Sequence, residues 1–149
     1  MDAEGYPEKN ELLLIEKWPL NNPFGLIDYI QDRWTFSSIR RKLGKDEVTK
    51  DHILFIEFHT IGWSGNEQLI DALLKNIVFR QMYYVSWKKG GHHYFEIKYQ
   101  SFGFKKVCQI AKEKNISRQS IHQNKHLYDW VDTGGKLKLC RPKKTINLQ

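Results

Sequence analysis

Sulfur, proline and long apolar runs are all scarce in this chain. Two cysteines, Cys108 and Cys140, close at most one bridge, which excludes a disulfide-built secreted scaffold. A zinc centre resting mainly on sulfur would need more of them. The longest apolar runs, Leu12–Ile15 and Ile53–Ile56, fall far short of the roughly 18 residues that a membrane span requires. The opening MDAEGYPEKN has no basic stretch leading into an apolar one, so export through a secretory leader is not expected. The expected molecule is soluble and cytoplasmic, has no membrane contact and keeps its thiols reduced. Phosphate-binding glycine loops, dinucleotide fingerprints and nucleophile elbows are missing too. No catalytic residue, cofactor or metal site is therefore assigned from motifs.

Acidic residues are scarce only in one place. From Ser101 to Gln149 there are 11 basic residues against 3 acidic ones, a local excess of +8 in a chain whose net charge is +7. The first 100 residues are close to neutral. The 149 residues, 40% of them apolar, suffice for one packed body with a small appendage, not for a long multidomain enzyme.

The pattern before residue 100 is mixed. A flexible tail is expected over residues 1–10, then an apolar element in LLLIEKW (Leu12–Trp18) ended by Pro19. Asn22-Pro23 marks a helix start, and Leu26, Ile27, Ile30 and Trp34 extend it over 23–33. Phe36, Ile39 and Leu43 fit a weak helical face that Gly44 stops. HILFIEFHTI (His52–Ile61) predicts a strand buried on both faces. Ser64 and Glu67 have capping-box spacing ahead of Leu69, Ile70, Leu73, Leu74 and Ile77. Met82–Trp87 and His92–Tyr99 predict a hairpin about Lys88-Lys89-Gly90-Gly91. On its second strand His93, Phe95, Ile97 and Tyr99 face one way and His92, Tyr94, Glu96 and Lys98 the other. Neighbouring His92 and His93 thus do not share one ion. Trp63 in Gly62–Asn66 fits an anchor for the turn better than an anion or partner site.

After Gly103, Val107, Ile110 and Ala111 form one helical face. Asn115 can turn the chain through a left-handed conformation, Ser117 can cap a second helix, and Ile116 and Ile121 can fill the angle between the two. This segment, about residues 104–130, resembles the helix-turn-helix of DNA-binding proteins, and ISRQSIHQ resembles the opening of a recognition helix in bacterial and phage regulators. It departs from that pattern at Lys114 and Asn124, where the family usually has apolar residues, so Leu127, Tyr128 or Trp130 must supply the packing.

The resemblance implies major-groove contacts from Ser117, Arg118, Gln119, His122 and Gln123. In it Arg118 reads guanine, Gln119 or Gln123 reads adenine, and Ser117 and Ser120 hold phosphate. After the turn Asp132-Thr133-Gly134-Gly135, KLKLCRPKK alternates basic and apolar residues. Lys125, Lys136, Lys138, Arg141, Lys143 and Lys144 then contact the sugar-phosphate backbone, several of them from a short β wing. The expected whole is an α+β fold. Its small mixed body, 11–100, serves dimerisation or partner binding and carries a β-hairpin, and its basic helix-turn-helix module with a wing spans 101–149. The expected function is non-enzymatic binding of double-stranded DNA by a homodimeric transcriptional regulator of bacterial, phage or mobile-element type.

Two other readings compete. The body can bind a host protein, making the chain a phage or mobile-element inhibitor of a nucleic-acid-handling complex. Alternatively Glu96-Ile97-Lys98 has the Glu-x-Lys spacing of restriction-endonuclease-like Mg²⁺ nucleases, with Glu67 or Asp71 replacing an absent strand carboxylate. An exposed strand face with an ion pair explains those three letters more simply. His122 and His126, four apart on a helix, lack the third ligand of a metal site. Lysines flanking Cys140 act to lower its pKa, so an oxidation-sensitive thiol is a minor alternative.

Overall fold

The computed structural model describes residues 1–36 and 39–144. They form an α+β fold with six α-helices and two sheets, one with its strands in the order Arg40–Lys45, His52–His59, His92–Ile97, Tyr84–Lys88 and one in the order Lys105–Lys106, Leu139–Pro142, Tyr128–Val131. Among these residues no helix is long and apolar enough to cross a membrane. The chain divides into two compact units, residues 1–41 with 55–97, and 42–54 with 98–149. The seam near residue 98 lies close to the expected one. However, segment 42–54 belongs to the basic unit and not to the body.

The first unit holds α1 (Lys9–Glu16), α2 (Pro23–Gln31), α3 (Ser64–Lys75), α4 (Ile77–Tyr83), β3 (Tyr84–Lys88) and β4 (His92–Ile97). It also takes the start of β1 (Arg40–Lys45) and the end of β2 (His52–His59). Asn22 caps α2 as the sequence implies, its side chain accepting from the Gly25 N–H. Ile27, Ile30, Phe58, Leu69, Leu73, Phe79, Phe95 and Ile97 are buried in this unit. Phe95 packs edge-on against Phe58 and at a tilt against Phe79, with ring centroids 5.5 and 5.6 Å apart. Such contacts remove large apolar area from water, the dominant favourable term in folding.

Several local expectations give way to contacts made at a distance. In place of a flexible tail, Pro7 is buried, the Met1 ammonium lies 3.0 Å from Glu11, and Tyr6 packs on Trp63 with ring centroids 5.0 Å apart. The Ser64/Glu67 capping box does not form. Trp63 is the residue before α3, and the Ser64 hydroxyl donates to Tyr6 instead. What fixes this helix start is Asn66, fully buried, whose side chain accepts from Thr35 N–H and donates to the Thr35 and Thr60 carbonyls. Trp63 also meets Phe36, which makes the Gly62–Asn66 loop an aromatic anchor.

Of the weak helical face at 36–43, residues 40–43 belong instead to β1, while positions 37 and 38 of that stretch lie outside the described residues. The expected strand at Met82 begins two residues later, because Asn76 starts the short helix α4. Its side chain accepts from Phe79 N–H and donates to the Ile15 and Trp18 carbonyls. A single side chain thereby caps one helix and satisfies free carbonyls at the end of another.

In the second unit, the link between β1 and β2 is closed by Asp46, whose carboxylate accepts from the Val48 and Thr49 N–H groups. A 3₁₀ turn (Tyr99–Phe102) precedes β5 (Lys105–Lys106), α5 (Val107–Lys114), α6 (Arg118–Gln123), a second 3₁₀ turn (Lys125–Leu127), β6 (Tyr128–Val131) and β7 (Leu139–Pro142). Asn115 is left-handed, with φ 53° and ψ 46°, and lets the Ile116 N–H return to the Ala111 carbonyl. Ser117 caps α6 by accepting from Ser120 N–H at 3.1 Å. Val107, Ile110, Ala111, Ile121, Tyr128 and Cys140 form the core of this unit, with Trp130 packed against them. Ile116 is 38% exposed and does not fill the angle between the helices. Lys114 and Asn124 find polar uses. Lys114 reaches the Tyr128 hydroxyl and lies over its ring, and Asn124 donates to the Ser120 carbonyl.

Candidate nucleic-acid interface

Within the second unit, a concavity of about 300 Å³ opens between the start of α5, one face of α6 and the loop joining β6 to β7. Lys106, Val107, Cys108, Arg118, His122, Lys125, Lys136, Leu137 and Lys138 line it. Five of these are permanent cations, and none is acidic. Concentrated positive charge of this kind focuses field and attracts a polyanion before any contact is made.

Helical spacing explains one wall. Arg118 and His122 are four residues apart and project on one side of α6 while Ile121 points into the core, and Lys125 joins them from the 3₁₀ turn that follows. Trp130 sets two of them in place. Its ring stacks on His122 with centroids 5.7 Å apart, and its indole N–H donates to the Lys125 carbonyl at 3.0 Å. The other wall is the β6–β7 loop. Asp132 accepts from Gly134 N–H at 2.9 Å and the Thr133 hydroxyl donates to the Leu137 carbonyl, which leaves Lys136 and Lys138 exposed on either side of Leu137.

A second concavity, about 370 Å³, shares Lys106 and Leu137 with the first and adds Leu43, Gly44, Lys45, His52 and Tyr99. The basic track thus extends onto the 42–54 segment. Lys106, Lys45 and His52 are its unforeseen members. Lys45 and His52 lie far from α6 in sequence, in the near-neutral first 100 residues, and of the three only Lys106 falls in the basic stretch.

The remaining candidates are placed differently. Gln119 and Gln123 are exposed on α6, outside the concavity, and Ser120 is half-buried. The Ser117 hydroxyl is occupied as the cap, and a six-residue helix offers little dipole for a phosphate, so the expected anion seat at Ser117 and Ser120 has no support. Arg141 is not an outward contact. Its guanidinium pairs with Asp129 at 3.1 Å, donates to the Phe102 carbonyl at 2.8 Å and covers the Phe104 ring. Lys143 and Lys144 are exposed beyond β7, away from the lining.

The residues of the nuclease reading meet other partners or solvent. Lys98 is paired with Asp51 at 2.7 Å, and Glu67 and Asp71 are exposed on α3. Nor is Cys140 activated by neighbouring lysines. Burial outweighs the Lys114 charge and pushes its thiol up to about 11, while Cys108 is exposed beside the basic wall. At pH 8 only about one Cys140 in a thousand would be thiolate. A thiol reagent is therefore expected to modify Cys108 alone in the native chain, with Cys140 reacting only as pH approaches 11 or on unfolding. Mass spectrometry after timed labelling checks this, and equal rates for the two would refute the burial argument.

Compared with protein-family models, curated proteins and solved structures, the chain matches none.

Proposed function

We propose that the chain is a non-enzymatic DNA-binding protein whose second unit works as a helix-turn-helix with a β wing, in the manner of a transcriptional regulator. The observation that carries this reading is the acid-free concavity in which Lys106, Arg118, Lys125, Lys136 and Lys138 converge from four elements. A solvated surface does not require lysines from distant elements to face one hollow, whereas a phosphate backbone does. Supporting it are the left-handed Asn115 between α5 and α6 and the exposure of Arg118, Gln119 and Gln123 on α6. Those side chains are of the types that read guanine and adenine edges. In this reading Lys136 and Lys138 hold the backbone from the wing, and exposed Ile77, Val78, Met82, Val85 and Trp87 of the first unit supply an apolar surface for a homodimer.

Selection from random duplex oligonucleotides at moderate salt tests the proposal. A sequence should be enriched, and Arg118→Ala should relax preference at one position by roughly 1–3 kcal/mol while leaving other positions unchanged. Tight binding without enrichment would remove the regulator. Salt-resistant capture of a protein component of a nucleic-acid-handling complex, without DNA affinity, would favour the inhibitor reading instead.

A further inference from the structure

The first unit carries a separate cluster on the face of its sheet away from the core. Along the end of β2, Ile56 and Phe58 are buried while Glu57 and His59 project to the other side, half-buried. On the adjacent β4, Phe95 and Ile97 are buried, whereas His92 and Tyr94 project on the alternate face. The two strands are pinned where they matter. Gly91 has φ +79°, and its carbonyl accepts from Thr60 N–H at 3.0 Å. A Cβ there would lie 2.0 Å from the Thr60 hydroxyl oxygen, so only glycine lets the hairpin approach the end of β2 this closely.

The result is that His59 and His92 lie with ring centroids 4.2 Å apart, and His59 Nε2 is 2.5 Å from Glu57 Oε1. One donor atom from each of Glu57, His59 and His92 lies within 4.8 Å of the others. A Glu57–His59 pair by itself accounts for only one of the imidazoles. It does not explain why His92 Nδ1 is buried without a hydrogen-bond partner among the described residues. Tyr94, on the same face, brings its hydroxyl near the Glu57 carboxylate.

We propose that Glu57, His59 and His92 form a binding site for a divalent transition-metal ion of the zinc class. Tetrahedral bonds of about 2.0–2.1 Å place donors roughly 3.3 Å apart, a spacing these three reach by small side-chain rotations. Two imidazoles and one carboxylate suit zinc better than magnesium or calcium, which prefer all-oxygen shells, or copper(I), which prefers sulfur. Three protein ligands leave a fourth position for water. Such an ion makes that water more acidic and polarises a bound carbonyl or phosphoryl oxygen. Tyr94 is a positioning residue, acting through Glu57. The site is independent of the basic concavity and stands whether or not the chain binds DNA.

The test uses the full-length chain freed of metal by chelator dialysis, then titrated with Zn²⁺ calorimetrically and with Co²⁺ by its visible absorption. One equivalent should bind with micromolar or tighter affinity, and Co²⁺ should give the intense band of a four-coordinate site. His59→Ala and His92→Ala should each weaken binding about 100-fold or more, and Tyr94→Phe about 10-fold. A His122→Ala/His126→Ala double variant should bind as the parent does. Should the alanine variants misfold, Glu57→Gln, nearly isosteric, must still weaken binding while metal-free thermal unfolding stays unchanged. Absence of saturable binding, binding that survives Glu57→Gln or His92→Ala in folded protein, or loss confined to the His122/His126 variant would each overturn the proposal.

Discussion

Replacing Lys106, Arg118, Lys125, Lys136 and Lys138 together by alanine is expected to lower affinity for duplex DNA by roughly four orders of magnitude near 0.1 M salt. Each cation that neutralises a phosphate releases condensed counterion and contributes about 0.9 to the slope of log K against log salt concentration. Five lost contacts should therefore flatten that slope by about 4 to 5. The fold should survive, because four of the five are exposed and Lys106 is half-buried. Net charge alone makes a rival prediction. A control that removes Lys9, Lys17, Lys75, Lys88 and Lys89, all exposed in the first unit, changes the formal charge by the same amount. If the concavity is the DNA site, fluorescence anisotropy across a salt series shows a large loss for the first variant and little for the second. Equal losses would mean diffuse attraction and no site.

The parts of that concavity that were legible in the sequence are those governed by short-range geometry. Arg118 and His122 share a side of α6 because helical spacing requires it, and the Asp132–Gly135 turn signal puts Lys136 and Lys138 beyond a loop. Arg141 looked equivalent by the same alternation. Its register opposite Asp129 and its reach to the Phe102 carbonyl are tertiary facts that no local pattern carries. Lys45 and Lys106 are not legible for the converse reason, since each becomes part of a basic track only when segment 42–54 and β5 join the same unit. In sequence His92 adjoins His93, which the strand turns away, and only the sheet brings it beside His59.

The same division runs through the fold. Asn115, Ser117 and the Asn22-Pro23 start follow from residue-level conformational preference and hydrogen bonding, so they were readable. Asn66 and Asn76 were not, although they decide where α3 and α4 begin. Their buried side chains answer backbone groups of Thr35, Thr60, Ile15 and Trp18, and buried polar groups left unpaired are costly. Long-range satisfaction thereby overrides a well-spaced capping box. For β1, pairing with β2 likewise outweighs a weak helical periodicity.

Ile121→Ala is expected to destabilise the second unit by about 2–5 kcal/mol, whereas Ile116→Ala, five residues earlier, should cost well under about 1 kcal/mol. Both isoleucines fit the apolar positions of the motif equally well, but their environments differ. Ile121 is fully buried among Val107, Ile110, Ala111, Tyr128 and Cys140, and Ile116 is 38% exposed. Truncating the former removes both its transfer energy and its contacts, and leaves a cavity that α5, α6 and the small sheet cannot easily collapse. This core is small, so one side chain is a large share of it, and typical domain stability is only about 5–15 kcal/mol. Urea unfolding followed by circular dichroism, with midpoints compared at constant m, checks the difference. If DNA binding depends on the α5–α6 pair, Ile121→Ala should also lose affinity as the unit loosens, while Ile116→Ala keeps it. Similar midpoints for the two variants would show that Ile121 does not hold the helices together, and the positioning of Arg118 and His122 would then need another support.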